Sequence, residues 1–286
     1  MILGFKEHID VKDYEKLDQL DEKLIMYSNG ARYGQVVFLA GGAGSGKGFA
    51  QSQFMEADKF KVFDVDELKK LFIKVRGLKM NLRNPDDVFN LHDIVKKSGV
   101  KDARLNLLAR SLSDSASGKK GTLPNLMFDV TLKEIEDIKE VLPMLNALGY
   151  DAKNIHVTWV LTDYYVAVQA NQDRDRVVPD KILLQTHVGA ADTMANIIKG
   201  KLPRGVNGEV RVILNNRDQT VFFKDEDGKP LKTSSGKTVI KDFTYVTLKK
   251  KGKRFEKESA IEKQVWNWIS DNVPKDALQI IKKPEV

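Results

Sequence analysis

The run Gly41-Gly42-Ala43-Gly44-Ser45-Gly46-Lys47-Gly48 constrains this chain more than any other feature. It follows directly on Gln35-Val36-Val37-Phe38-Leu39-Ala40, a short apolar stretch that reads as a buried parallel strand. From Gly41 to Lys47 the run fits the frame G-x-x-x-x-G-K. Glycines let successive backbone N–H groups turn inward around phosphate oxygens. A helix starting inside the loop adds positive potential, and the lysine neutralises the β- and γ-phosphates. Gly42, Gly44, Ser45, Gly46, Lys47, Gly48 and Phe49 are therefore the candidate nucleotide contacts. One position departs from the common pattern. The Ser or Thr that usually follows the lysine and binds Mg²⁺ is Gly48, so Mg²⁺ is expected on substrate phosphates, water and carboxylates elsewhere.

Further strands are expected at Phe60–Val65, Leu126–Val130 and Ile155–Leu161. Helical patterns fill the gaps at Glu67–Val75, Asp86–Lys97, Ala103–Leu112, Leu132–Leu148, Tyr164–Gln172 and Lys181–Lys199. This alternation predicts an α/β fold around a mainly parallel sheet. Beyond residue 205 the texture changes to short β-prone pieces, Val210–Leu214, Thr220–Phe223, Thr238–Ile240 and Phe243–Leu248, separated by turn formers. They predict one or two hairpins decorating the core. An amphipathic helix is expected at 11–27 and another from Ser259 to about Val273. The expected division is an N-terminal helix (1–33), a core (34–205) and a basic hairpin-and-helix extension (206–286).

In open parallel sheets ligands sit at the carboxyl ends of the strands. Asp64 and Asp66, ending the second strand, are thus placed to face a γ-phosphate. Asp66 suits two roles: it takes the proton of an attacking hydroxyl, or it caps the helix that follows. Lys69 orients substrate or is solvated. The third strand ends Phe128-Asp129-Val130-Thr131; apolar residues closing on Asp are the pattern of a carboxylate that reaches Mg²⁺, although Asp also ends strands for turn reasons. Asp64 and Asp129 are the candidate metal carboxylates. Asp173-Arg174-Asp175-Arg176, closed by Val177-Val178-Pro179, reads as a lid (172–180) whose arginines neutralise the transferring phosphoryl group, or as an ion-pair ladder.

Composition narrows the partners. The 286 residues contain no cysteine, which excludes disulfides, thiolate metal sites and Cys nucleophiles. No apolar run is long enough for a membrane span, and the first residues lack the apolar core of a signal peptide, so a cytoplasmic protein of a bacterial or phage-infected cell is expected. The net charge of +7 is unevenly placed: residues 201–286 hold 19 basic and 12 acidic side chains and so carry the whole excess. Lys249-Lys250-Lys251-Gly252-Lys253-Arg254, flanked by Tyr245 and Phe255, suits contact with a nucleic-acid backbone such as DNA; a solvated lysine-rich turn has the same composition.

These segments together resemble the P-loop kinases of the zeta toxin and phage polynucleotide kinase group over roughly residues 34–200. Asp64-Val65-Asp66-Glu67-Leu68-Lys69 is similar to that group's Asp-x-Asp-x-x-Arg segment, with Lys69 in the place of the arginine. Asp129-Val130-Thr131-Leu132 is similar to its third-strand Glu/Asp-x-Thr-Leu motif, and Arg174 and Arg176-Val177-Val178-Pro179 resemble its lid. Lys47-Gly48 also resembles the loop of adenylate kinases. The resemblance implies a three-layer P-loop kinase sandwich, ATP and Mg²⁺ as cofactors, and phosphorylation of a hydroxyl. Lys47, Asp66, Arg174 and Arg176 are then catalytic, with Asp64, Lys69, Asp129 and Thr131 near the substrate. The leading acceptor is a terminal or modified-base hydroxyl of a nucleic acid, or a nucleotide. The alternatives are a nucleotide sugar, a nucleoside monophosphate, or an ATP- and nucleic-acid-binding module without turnover. Asn215 and Asn216 are further candidates for contact with adenine.

Overall fold

The structure, a computed structural model, describes residues 33–55, 59–116, 123–174, 176–216, 220–224, 227–232, 238 and 240–255. The helices expected at 11–27 and from Ser259 lie outside the described residues. The chain runs β1 (Val36–Ala40), α1 (Lys47–Phe54), β2 (Phe60–Asp64), α2 (Val65–Arg76), α3 (Pro85–Lys97) and α4 (Val100–Ala116). It continues through β3 (Asn125–Asp129), α5 (Glu136–Lys139), α6 (Leu142–Ala147), β4 (Ile155–Leu161), α7 (Tyr164–Gln172), α8 (Asp180–Ile198), β5 (Val210–Leu214), β6 (Thr220–Phe222) and β7 (Ile240–Lys249).

The strands form one sheet in the order β2-β3-β1-β4-β5-β7-β6. From β2 to β5 all neighbours are parallel, and β7 joins antiparallel to β5 and β6. β1 is Val-Val-Phe-Leu-Ala with every residue buried, as a strand covered on both faces must be. Its alternate side chains enter two separate cores. Val36, Phe38 and Ala40 pack with Leu112 of α4, Leu142 and Leu145 of α6, and Met194 and Ile197 of α8. Val37 and Leu39 pack with Ala50 and Phe54 of α1 and with Ile240 and Phe243 of β7. The sheet therefore lies between two helical layers, the mixed α/β sandwich expected of a P-loop kinase.

Three expectations are corrected. The helix expected over 132–148 breaks into α5 and α6: Leu132, fully buried, adopts φ 55°, and a new helix starts around Pro143. The pieces at 238–240 and 243–248 are not separate but merge from Ile240 onward into the single strand β7. Of the pieces beyond residue 205, β6 and β7 do pair as an antiparallel hairpin, but β5 belongs to no hairpin: it pairs parallel with β4, and β7 joins it, so they extend the core sheet rather than decorate it.

Candidate active site

Because β2, β3, β1 and β4 are parallel, their carboxyl ends share one edge, and the glycine loop leaves β1 at that edge. Gly46 is in the left-handed region at φ 82° and immediately precedes α1. A Cβ there would collide with Asn215 Nδ2, so the position is closed to larger residues on two grounds. α1 has no side-chain cap and no acidic residue in its first turn. Its first N–H groups and its positive end are therefore left for an external anion. Ser45, 1% exposed, contributes a hydroxyl with no hydrogen-bond partner among the described residues. An uncapped helix start and an orphaned buried hydroxyl in one glycine loop fit phosphate oxygens.

Lys47 donates to Gly41 O (2.9 Å) and lies 3.6 Å from Asp129 Oδ1, both side chains being largely buried. Asp129 is in register with Asp64 on the neighbouring strand. Neighbours in register share a face, so the two carboxylates stand together at the carboxyl edge. Among the described residues no three metal-ligating side chains cluster. An oxygen-only pair is nonetheless the donor set Mg²⁺ takes when substrate phosphates and water complete its shell. Thr131 meets the loop through its backbone, its carbonyl accepting Gly41 N–H at 3.3 Å. Asp66 is the second residue of α2, directly beyond β2, and Lys69 follows one turn later; the Asp66 side chain lies outside what the structure describes. Gly48 and Phe49 are exposed in the first turn of α1, and Phe49 turns to the β6 side, its ring 6.4 Å from that of Phe222.

Arg174 and Arg176 sit half-buried on the loop between α7 and α8. Both helices touch the phosphate loop: a Cβ at Gly44 would meet Ala167 O of α7, and Ala43 contacts Thr186 and His187 of α8. The arginine loop is also pinned. Asn171, 1% exposed, donates to Val178 O (2.7 Å) and accepts Val178 N–H (2.9 Å), and Val177 N–H donates to Leu82 O (3.0 Å).

Two expectations change here. Asn215 and Asn216 bind backbone rather than standing open for a base: Asn215 Nδ2 donates to Ser45 O (2.9 Å), joined there by Thr162 Oγ1 (2.7 Å), and Asn216 Oδ1 accepts Asp163 N–H (2.8 Å). The basic run lies at the wrong end of the sheet for the reacting groups. Lys249 pairs with Val210, the first residue of β5, which is level with Phe38 of β1, so the run 250–254 leaves from the amino end of β5, starting about 10 Å of strand before the phosphate loop. Lys249 is itself buried, donating to Gly208 O (2.8 Å) and Asn207 Oδ1 (3.0 Å), and burial lowers its pKa.

Sequence reasoning passed over Thr162, Asn171 and Thr186, whose short polar side chains carry no spacing signal; His187, on the helix expected after the lid, is within reach of the site by sequence but reads there as structural. Burial, with the Lys47 ammonium nearby, pushes the His187 pKa down to about 4 against the opposing hydrogen bond to Ala43.

No curated protein matches the chain. Among solved structures, the complex AvrRxo1-ORF1:AvrRxo1-ORF2 with sulphate ions is 14% identical, over 88% of this chain and 75% of that one, at a TM-score of 0.40. A structure from the PezAT chromosomal toxin-antitoxin system of Streptococcus pneumoniae is 13% identical over 88% and 91%, at 0.40, and a gluconokinase from Sinorhizobium meliloti 12% over 59% and 99%, at 0.26. The family model described as Zeta toxin matches residues 18–227, so the chain belongs to the zeta toxin family, whose members are P-loop kinases.

Proposed function

We propose that this protein transfers the γ-phosphoryl group of ATP to a hydroxyl of a nucleotide-class acceptor. The observation that carries the reading is the Lys47 ammonium, held between Gly41 O and Asp129 at the mouth of an uncapped helix. That placement suits neutralising the charge of a β,γ-bridge as it breaks. The loop N–H groups of Gly44, Gly46, Lys47 and Gly48 hold the phosphates, that of Ser45 being turned to Gly42 O (3.2 Å), and Arg174 and Arg176 approach the γ-phosphoryl group from the α7–α8 loop. Asp66 takes the proton of the acceptor hydroxyl as its oxygen bonds to the γ-phosphorus. The bond from that phosphorus to the β,γ-bridging oxygen breaks, and ADP leaves. Asp64 and Asp129 would hold Mg²⁺, which would supply charge neutralisation on the phosphates.

The position of residues 249–254 bears on the acceptor. At the amino edge they do not flank the reacting end, which favours an acceptor small enough to be held wholly at the carboxyl edge, a nucleotide or nucleotide sugar, over a polymer gripped by that run. The test is incubation with γ-labelled ATP and separate nucleotide, nucleotide-sugar, DNA and RNA acceptors. Label on a small acceptor, lost in Asp66→Asn and Lys47→Met, is the expected result. Label on nucleic acid alone overturns the choice of acceptor, and label on none, with ATP still bound, overturns the enzyme.

A further inference from the structure

α8 carries the arginine loop at its amino end and, further along, grips one residue of the phosphate loop from both sides. Ala43 N–H donates to Thr186 Oγ1 at 3.1 Å, and His187 Nε2 stands 2.7 Å from Ala43 O. A carbonyl only accepts, so His187 is the tautomer with hydrogen on Nε2. The Thr186 hydroxyl hydrogen is spent on Leu183 O (2.7 Å), which leaves its oxygen to accept from Ala43. The His187 ring fills the space that a side chain at Gly42 would need and meets Tyr164 edge-on at 5.7 Å. Further down the helix, Gly189 packs closely on Lys133, and Thr193 Oγ1 donates to Lys133 O (3.0 Å). One helix thus joins the arginine loop, the phosphate loop and the segment beyond β3.

We infer that Thr186 and His187 are positioning residues, which hold Ala43 and so set the phosphate loop in fixed relation to Arg174 and Arg176. The inference rests on the kinase reading. With both polar groups of Ala43 turned to α8, phosphate binding falls to the N–H groups from Gly44 onward. Those donors act only while they converge, and a loop anchored on one residue by two hydrogen bonds keeps that convergence without a ligand. Neutral His187 supplies its N–H without setting a second cation beside Lys47; the other polar groups around it are Asp163 and Tyr164.

The experiment compares wild type with His187→Ala, His187→Gln, Thr186→Val and Thr186→Ser. It reads binding of a fluorescent ATP analogue and amide hydrogen exchange of residues 41–48 without nucleotide. His187→Ala and Thr186→Val are expected to raise the analogue's Kd about tenfold, with faster exchange across 41–48. His187→Gln, whose amide nitrogen replaces Nε2, and Thr186→Ser are expected to recover most of both. Should His187→Ala fail to fold, His187→Asn, whose amide is too short to reach Ala43 O, takes its place beside His187→Gln. Unchanged exchange in the deficient variants, or a Gln variant as impaired as Ala, overturns the inference. If wild type binds no ATP, the kinase reading fails, and exchange at 41–48 still decides this one.

Discussion

Lys47 Nζ lies 3.6 Å from Asp129 Oδ1, and Asp129 in turn stands in register with Asp64, so one cation from the start of α1 and two carboxylates from the ends of β2 and β3 share the edge where the glycine loop emerges. Replacing Lys47 by Met removes the only charge the loop sequence offers to the phosphates. Turnover of labelled ATP is expected to fall by about a hundredfold or more, the cost of deleting one well-placed donor. Asp129→Asn keeps the shape and is expected to raise the Mg²⁺ concentration needed for half-maximal rate, measured by metal titration at fixed ATP.

The arginine loop separates two roles for the same residues. Arg174→Lys and Arg176→Lys keep the charge but lose the planar fork, so a phosphoryl contact is expected to show as a fall in kcat with little change in melting temperature. Asn171→Ala acts differently. It removes both hydrogen bonds to Val178 and leaves a buried N–H and C=O unpaired, at a cost of about 1–3 kcal/mol in stability. Thermal melts beside steady-state kinetics distinguish the two. A ladder serving only stability predicts the reverse pattern for the arginines.

Much of this site was legible because its chemistry is written in contiguous residues. Gly41–Lys47, Asp64 and Asp129 each follow an apolar strand, and parallel pairing then brings strand ends together whatever lies between. What stayed hidden depends on contacts between distant segments. Thr162 and Asn215 reach the same Ser45 carbonyl from the ends of different strands, and nothing in either neighbourhood announces it. The place of the basic run was hidden for a related reason: charge composition shows that an anion is attracted, but only the antiparallel register of β7 on β5 shows at which end.

Lys249 belongs to the fold. Lys249→Ala strips the donor from Gly208 O and Asn207 Oδ1, and a loss of about 1–3 kcal/mol is expected in chemical denaturation. Charge removal at the exposed Lys253 and Arg254 is expected to leave both stability and turnover of a small acceptor within about twofold, since neither approaches the carboxyl edge. A large loss of turnover there would return the basic run to the reaction centre.

Acid stability carries a histidine signature. His156 is fully buried in β4, its Nδ1 accepting Glu209 N–H (2.9 Å) and its Nε2–H facing Gln35 Oε1 (2.9 Å). Burial, followed by the charges of Lys251, Arg211 and Lys249, pushes its pKa down to about 3. The unfolded chain therefore takes up this proton first, so the stabilising contribution is complete above about pH 6.5 and is lost as pH falls towards 3. His187, at about 4, adds a smaller loss in the same direction. The integrated effect of His156 is on the order of 5 kcal/mol. Its check is the pH slope of unfolding free energy between 6.5 and 4, which is expected to be shallower in His156→Gln than in wild type.

Gly48 gives the most direct test of the missing hydroxyl. It is exposed in the first turn of α1, and a Cβ built there meets no atom within 4 Å. Nothing in the packing therefore demands glycine. Gly48→Thr restores the side chain that usually follows the lysine of such loops and places an oxygen beside the phosphates. Replacing a helical glycine by threonine also favours folding by about 0.3 kcal/mol, so the variant is expected to be no less stable than wild type. On the proposed reading, in which Asp64 and Asp129 would hold Mg²⁺, the hydroxyl would add a third protein ligand, and the half-saturating Mg²⁺ concentration for ATP turnover is expected to fall several-fold. An unchanged metal requirement in a stable, active Gly48→Thr protein would show that the ion sits out of reach of α1 and is held by the carboxylate edge alone.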